Sequence, residues 1–181
     1  MKKILAVVGM LSIIVLGGYV VKYYHDLSFD GNESIIILKD YDEISSLSDL
    51  VGRKEFENKV LYVDMWGVYC RPCIEEFKNL NEIKERYKDK EVEFVYLASP
   101  YNHIDDVQKW KAAIKNYNLE GNHMLMNLDF YKGIWDEVPE MEEPFVIPHY
   151  LLIDKNKMVI DANAPRPSQK EKLYSAIDNL L

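Results

Sequence analysis

Apolar and polar positions alternate in period along this chain, and the period changes mark its elements. Residues 4–21 are apolar except for Ser12 among ordinary polar side chains, with Lys2 and Lys3 before them. Residues 35–38 form a short β-branched and apolar run, and residues 45–52 suggest a short helix stopped by Gly52. Residues 60–66 predict a strand. From Cys73 the period lengthens: Cys73, Phe77, Leu80, Ile83 and Tyr87 recur every three or four positions, which predicts one amphipathic helix. Residues 92–98 are nearly continuously apolar, as expected of a central parallel strand buried on both faces. Val107, Trp110, Ile114 and Tyr117 keep a helical period behind Asp105 and Asp106. A brief strand at 124–126 and a short helix at 130–138 follow. Residues 148–153 and 158–162 flank a four-residue turn of hairpin length, and Leu173, Ala176, Ile177 and Leu180 give a last helix its apolar face. Strands and helices in this order predict an α/β fold whose central sheet is mixed, parallel inside and antiparallel at its end, with helices flanking it.

The first 21 residues set the compartment. Two lysines before an apolar stretch long enough to span a bilayer predict a signal anchor whose positive end stays cytoplasmic. A cleaved secretory peptide is the alternative; Gly17 and Gly18 offer small residues, but no A-x-A site is present. Either route exports the rest. The expected organisation is an anchor at 1–24, a tether at 25–33 and one domain at 34–181, held at the outer side of the cell inner membrane.

Composition narrows the partners. Net charge is −8; setting aside Lys2, Lys3 and Lys22 leaves 19 basic against 30 acidic side chains, which argues against nucleic acid as a partner.

Chemistry concentrates at Cys70-Arg71-Pro72-Cys73, the only cysteines in 181 residues. The pair follows a predicted strand and opens a predicted helix, the context that marks C-x-x-C as a redox dithiol. At the start of a helix, unpaired N–H groups and the helix dipole favour the thiolate of Cys70, making it the nucleophile. Cys73, one turn in, is the more buried partner and resolves the mixed disulfide. Pro72 suits a first helical turn. Arg71 reads either as a cation supporting the thiolate or as a solvated loop arginine. A zinc site would need two further ligands, and no second cysteine pair exists. Asp64, six positions before Cys70, is either a buried carboxyl with raised proton affinity or a strand-end aspartate on a solvated face. Pro148 suits a strand start, an edge or a bulge.

The run Val63-Asp64-Met65-Trp66-Gly67-Val68-Tyr69-Cys70-Arg71-Pro72-Cys73 resembles the V-D-F-W-A-x-W-C-x-P-C strand and loop of thioredoxins, with Met65 for an aromatic residue, Gly67 for Ala and Tyr69 for Trp. Residues 145–154 resemble the family's cis-proline strand, and residues 164–168 are similar to a segment before the last helix in membrane-tethered bacterial thiol-disulfide oxidoreductases of the TlpA/ResA type. The resemblance spans roughly residues 59–181. It implies a thioredoxin fold, no cofactor beyond the Cys70–Cys73 disulfide, Asp64 as acceptor of the Cys73 proton, and a cis Ile147-Pro148 bond facing the dithiol. It also implies a substrate surface formed by Trp66, Tyr69, Ile147 and Pro148, although the residues alone suggest that Trp66 packs beneath the loop. The implied partners are envelope proteins with thiols or disulfides and a membrane thiol electron donor; reductant and oxidant roles are both open from the sequence, and the reading taken is a reductase. The competing reading is a copper-delivery module that uses Cys70, Cys73 and His149.

Overall fold

The computed structural model describes residues 33–38, 43–100, 106–138 and 145–181. Among them, six strands form one mixed sheet: β1 (Ile35–Ile37), β2 (Val60–Trp66), β3 (Val92–Ala98), β4 (Gly121–Leu125), β5 (His149–Ile153) and β6 (Val159–Asp161). Their order across the sheet is β1-β4-β3-β2-β5-β6. The first four in that order run parallel, and β2–β5 and β5–β6 are antiparallel. The expected mixed sheet is therefore present. The helices are α1 (Leu47–Val51), α2 (Arg71–Phe77), α3 (Leu80–Tyr87), α4 (Asp106–Asn116), α5 (Leu128–Glu137) and α6 (Lys170–Asp178).

The alternation of β2 gives the sheet two unlike faces. Leu61, Val63 and Met65 join Val95, Leu97, Leu151 and Ile153 in an apolar cluster with Leu50 of α1 and Phe130, Ile134 and Trp135 of α5. Tyr62, Asp64 and Trp66 face the other way. There, Trp66 meets Phe77 of α2 edge-on at 5.2 Å between centroids, and Tyr62 stacks on Tyr150 at 5.4 Å. All seven residues of β2 are buried, as an interior strand bonded on both sides requires.

Local chemistry sets the element ends. Ser46 Oγ accepts the N–H of Asp49 at 2.9 Å and Asn127 Oδ1 that of Phe130 at 2.8 Å, capping α1 and α5. Asp154 Oδ1 accepts the N–H groups of Asn156 and Met158, each at 2.9 Å, which shapes the β5–β6 turn. Gly121 opens β4 at φ +126, and a Cβ there would lie 2.6 Å from the Phe94 carbonyl oxygen. Only glycine fits that approach.

Two expectations are corrected. The single helix expected from Cys73 to Tyr87 is two, α2 and α3, because the Asn79 N–H bonds back to the Glu76 carbonyl at 3.0 Å and tightens the junction. The apolar face continues through the break: Cys73, Phe77, Leu80, Ile83 and Tyr87 are all buried. β4 begins at Gly121, ahead of the expected 124–126, and pairs with β1 along Ile35↔Gly121. The apolar segment 4–21 lies outside the described residues, among which no helix is long and apolar enough to cross a membrane.

Candidate active site

β2 ends at Trp66, and a tight turn, closed by the Cys70 N–H to the Gly67 carbonyl at 2.9 Å, delivers the chain into α2. Cys70 is the N-cap of α2 with extended backbone, and its Sγ accepts the Cys73 N–H at 3.2 Å. Pro72 lies in the first turn, where its missing N–H removes no helical bond. Cys70 and Cys73 are joined as a disulfide, with Cα atoms 5.3 Å apart. Their positions are unequal: Cys70 is partly exposed, and Cys73 is fully buried under its own helix.

An open cleft over the disulfide is lined by Gly67, Tyr69, Cys70, Arg71, Pro72, Ser99 and Ile147. Ile147 precedes Pro148 through a cis peptide bond and brings the β5 entry to the dithiol. Tyr69 is 61% exposed, yet its hydroxyl donates to Asp106 Oδ1 and accepts from Lys109 Nζ, both at 2.9 Å. These bonds to α4 fix one wall of the cleft. Ser99 anchors the floor, its hydroxyl donating to the Trp66 carbonyl at 3.1 Å. Arg71 is exposed at the rim. Trp66 is fully buried against Phe77, so it supports the loop from below and does not form part of a substrate surface.

Asp64 is 1% exposed, and neither carboxylate oxygen has a hydrogen-bond partner among the described residues. The solvated-face alternative is thereby excluded. Burial foremost, and the nearby Glu76 carboxylate next, hold its pKa well above the ordinary aspartate range, with Lys84 opposing them. Glu76 is one turn beyond Cys73, and its carboxylate accepts the Ser168 N–H at 2.8 Å and hydroxyl at 2.9 Å. That pair ties α2 to the segment before α6. Sequence reasoning missed Glu76, Lys84, Ser99 and the Asp106–Lys109 brace. Of these, only Glu76 carried a local signal, its one-turn spacing from Cys73.

His149 is buried on the opposite face of the sheet, with Nε2 2.7 Å from the Ala162 carbonyl oxygen and its ring against Trp135. Among the described residues, no group of three or more His, Cys, Asp and Glu side chains is placed to hold a metal ion.

The arrangement can form and break one disulfide, and comparison with known proteins agrees with that chemistry. A family described as Redoxin matches residues 30–178. Thiol-disulfide oxidoreductase ResA of Bacillus cereus is 27% identical over 164 residues, covering 88% of each chain. ResA of Bacillus thuringiensis subsp. konkukian is 29% identical over 118 residues, 63% of this chain and 62% of that protein. A crystal structure from Bacteroides vulgatus, assigned as a thiol-disulfide oxidoreductase, superposes with a TM-score of 0.56 at 27% identity, covering 70% of this chain and 82% of that one. The chain belongs to the Redoxin family, as a thioredoxin-like thiol-disulfide oxidoreductase of the TlpA/ResA type.

Proposed function

We propose that this chain reduces disulfides in other proteins of the cell envelope. The observation that carries the reading is the inequality of the two sulfurs: Cys70 opens to a cleft shared with Ile147, and Cys73 is sealed beneath it. The reduced Cys70 thiolate attacks one sulfur of a substrate disulfide. A Cys70–substrate bond forms and the other substrate sulfur leaves as a thiolate. Cys73 then yields its proton to the Asp64 carboxylate, and its thiolate attacks Cys70 Sγ. The Cys70–Cys73 bond closes, the remaining substrate sulfur departs with its electron pair, and the enzyme is left oxidised by two electrons. A thiol electron donor in the membrane returns it to the dithiol.

Tyr69 and Ile147 border the space an extended substrate segment would occupy, with Arg71 at its rim, and the cis bond to Pro148 sets the backbone of Ile147 there. The apolar stretch at 4–21, behind Lys2 and Lys3, supports attachment to the membrane with the domain outside the cytoplasm. Thiol exchange is preferred to copper delivery because His149 is committed to Ala162 and Trp135 on the other face of the sheet.

Equilibration of the Cys70–Cys73 pair against glutathione buffers tests direction. A potential near about −270 mV, in the thioredoxin range, supports reduction, and one near about −120 mV, that of a strong oxidant, overturns it. Protease added to intact spheroplasts tests placement. Digestion of the domain, with a cytoplasmic marker intact, is the expected result; survival of both proteins refutes export.

A further inference from the structure

Several buried polar groups on the sheet face that carries Asp64 have no hydrogen-bond partner among the described residues: both carboxylate oxygens of Asp64, the hydroxyls of Tyr96 and Tyr150, Nδ1 of His123 and Nζ of Lys84. Strand register places four of these residues in one row. Tyr150 on β5 is opposite Asp64 on β2, Asp64 is opposite Tyr96 on β3, and Tyr96 is opposite His123 on β4. Directly opposed residues share a face, so the row lies on the side that α2 and α3 cover. The Tyr96 and His123 rings stack at 4.7 Å, and Lys84 of α3 places Nζ 5.2 Å from the Tyr96 ring centroid. Lys84 also lines a cavity of about 670 Å³ with Glu120, Asn118 and Gly121, but its Nζ is shielded from water. Its charge therefore acts on Glu120 beside it and, next, on Asp64 in the row, where screening is weak.

We propose that Lys84 is a positioning residue for disulfide resolution: its ammonium, held over Tyr96 in the Asp64 row, sets the pH at which Asp64 is free to take the proton of Cys73. This rests on the reading of Asp64 as the proton acceptor. The groups that face Asp64 are Glu76 from α2, Lys84 from α3, Tyr62 from its own strand, and Tyr96 and Tyr150 from the strands on either side. Burial and Glu76 keep the proton on Asp64, and Lys84 is the cation that counters them. Lys84 in turn faces Glu120 and Asp64, with neutral His123 beside it. Burial draws the ammonium down to about 8, which Glu120 and then Asp64 resist. The charge is thus present near neutral pH, when Asp64 must be ionised to act.

The test uses the reduced full chain mixed in stopped flow with 5,5′-dithiobis(2-nitrobenzoate). Attack by Cys70 releases one thionitrobenzoate; resolution by Cys73 releases a second and closes the disulfide. The rate of the second release is followed from pH 5 to 9. Lys84→Met should move its rising limb up by about one pH unit, about tenfold slower on that limb. Lys84→Arg should keep the limb in place, and adding Lys84→Met to Asp64→Asn should change nothing further. Lys84→Gln serves as the neutral variant if Lys84→Met loses its helical circular dichroism. The proposal is overturned if the limb does not move, or if the slowing is equal at every pH and persists without Asp64. If Asp64→Asn alone leaves the limb intact, the reading of Asp64 itself fails.

Discussion

Replacing Cys73 with Ser should convert the protein into a trap that remains joined to its partners. Cys70 keeps its place at the start of α2 and its opening to the cleft, so attack continues, but no thiol is left to resolve the bond. Turnover should fall to background, and adducts that disappear on reduction should accumulate on nonreducing gels. Cys70→Ser should also abolish turnover yet accumulate far fewer adducts, because the surviving thiol is fully buried. Equal trapping by both variants would reverse or dissolve the assigned roles. If neither variant trapped anything while the wild-type protein bound copper tightly, metal delivery would take precedence.

The next largest effect should come from Asp64→Asn. A carboxamide cannot take the Cys73 proton, and losing a positioned general base typically costs about a hundredfold or more. Resolution should slow by about that factor near neutral pH, with attack by Cys70 little changed. Stability should move the other way. Asp64 holds its proton more tightly folded than unfolded, so the stabilisation this contributes is complete below the unfolded pKa and is lost as pH rises through the folded one. Between those two values wild type should lose about 1.4 kcal/mol per pH unit from this group, and Asp64→Asn should not. Urea denaturation from pH 4 to 9 should show the variant gaining on wild type as pH rises. Parallel curves would place the titration elsewhere.

The two results bear on how much of this molecule its sequence reveals. Period-two and helical patterns locate the strands and helices because each reports a single buried face, and C-x-P-C between strand and helix names the dithiol. Asp64 was ambiguous for a physical reason: alternation tells which neighbours share its face, but not whether a helix covers that face. Phe77 and Lys84 settle it, and they come from elements placed by tertiary packing. The break at Asn79 was invisible because Leu80, Ile83 and Tyr87 stay in phase across it. The brace from Tyr69 to Asp106 and Lys109 joins residues 37 and 40 positions apart, a separation on which local periodicity carries no information.

β2 has a consequence for variation as well as for chemistry. Asp64 lies within this strand and the dithiol follows just beyond its end, so one rod, bonded along both edges, carries the acid and leads directly into the sulfurs. The outer strands β1 and β6, three residues each, are separated from that rod by the strands between them. Changes in length or charge at the margins of the sheet therefore leave the acid and the two sulfurs, carried by one short stretch of chain, where they are.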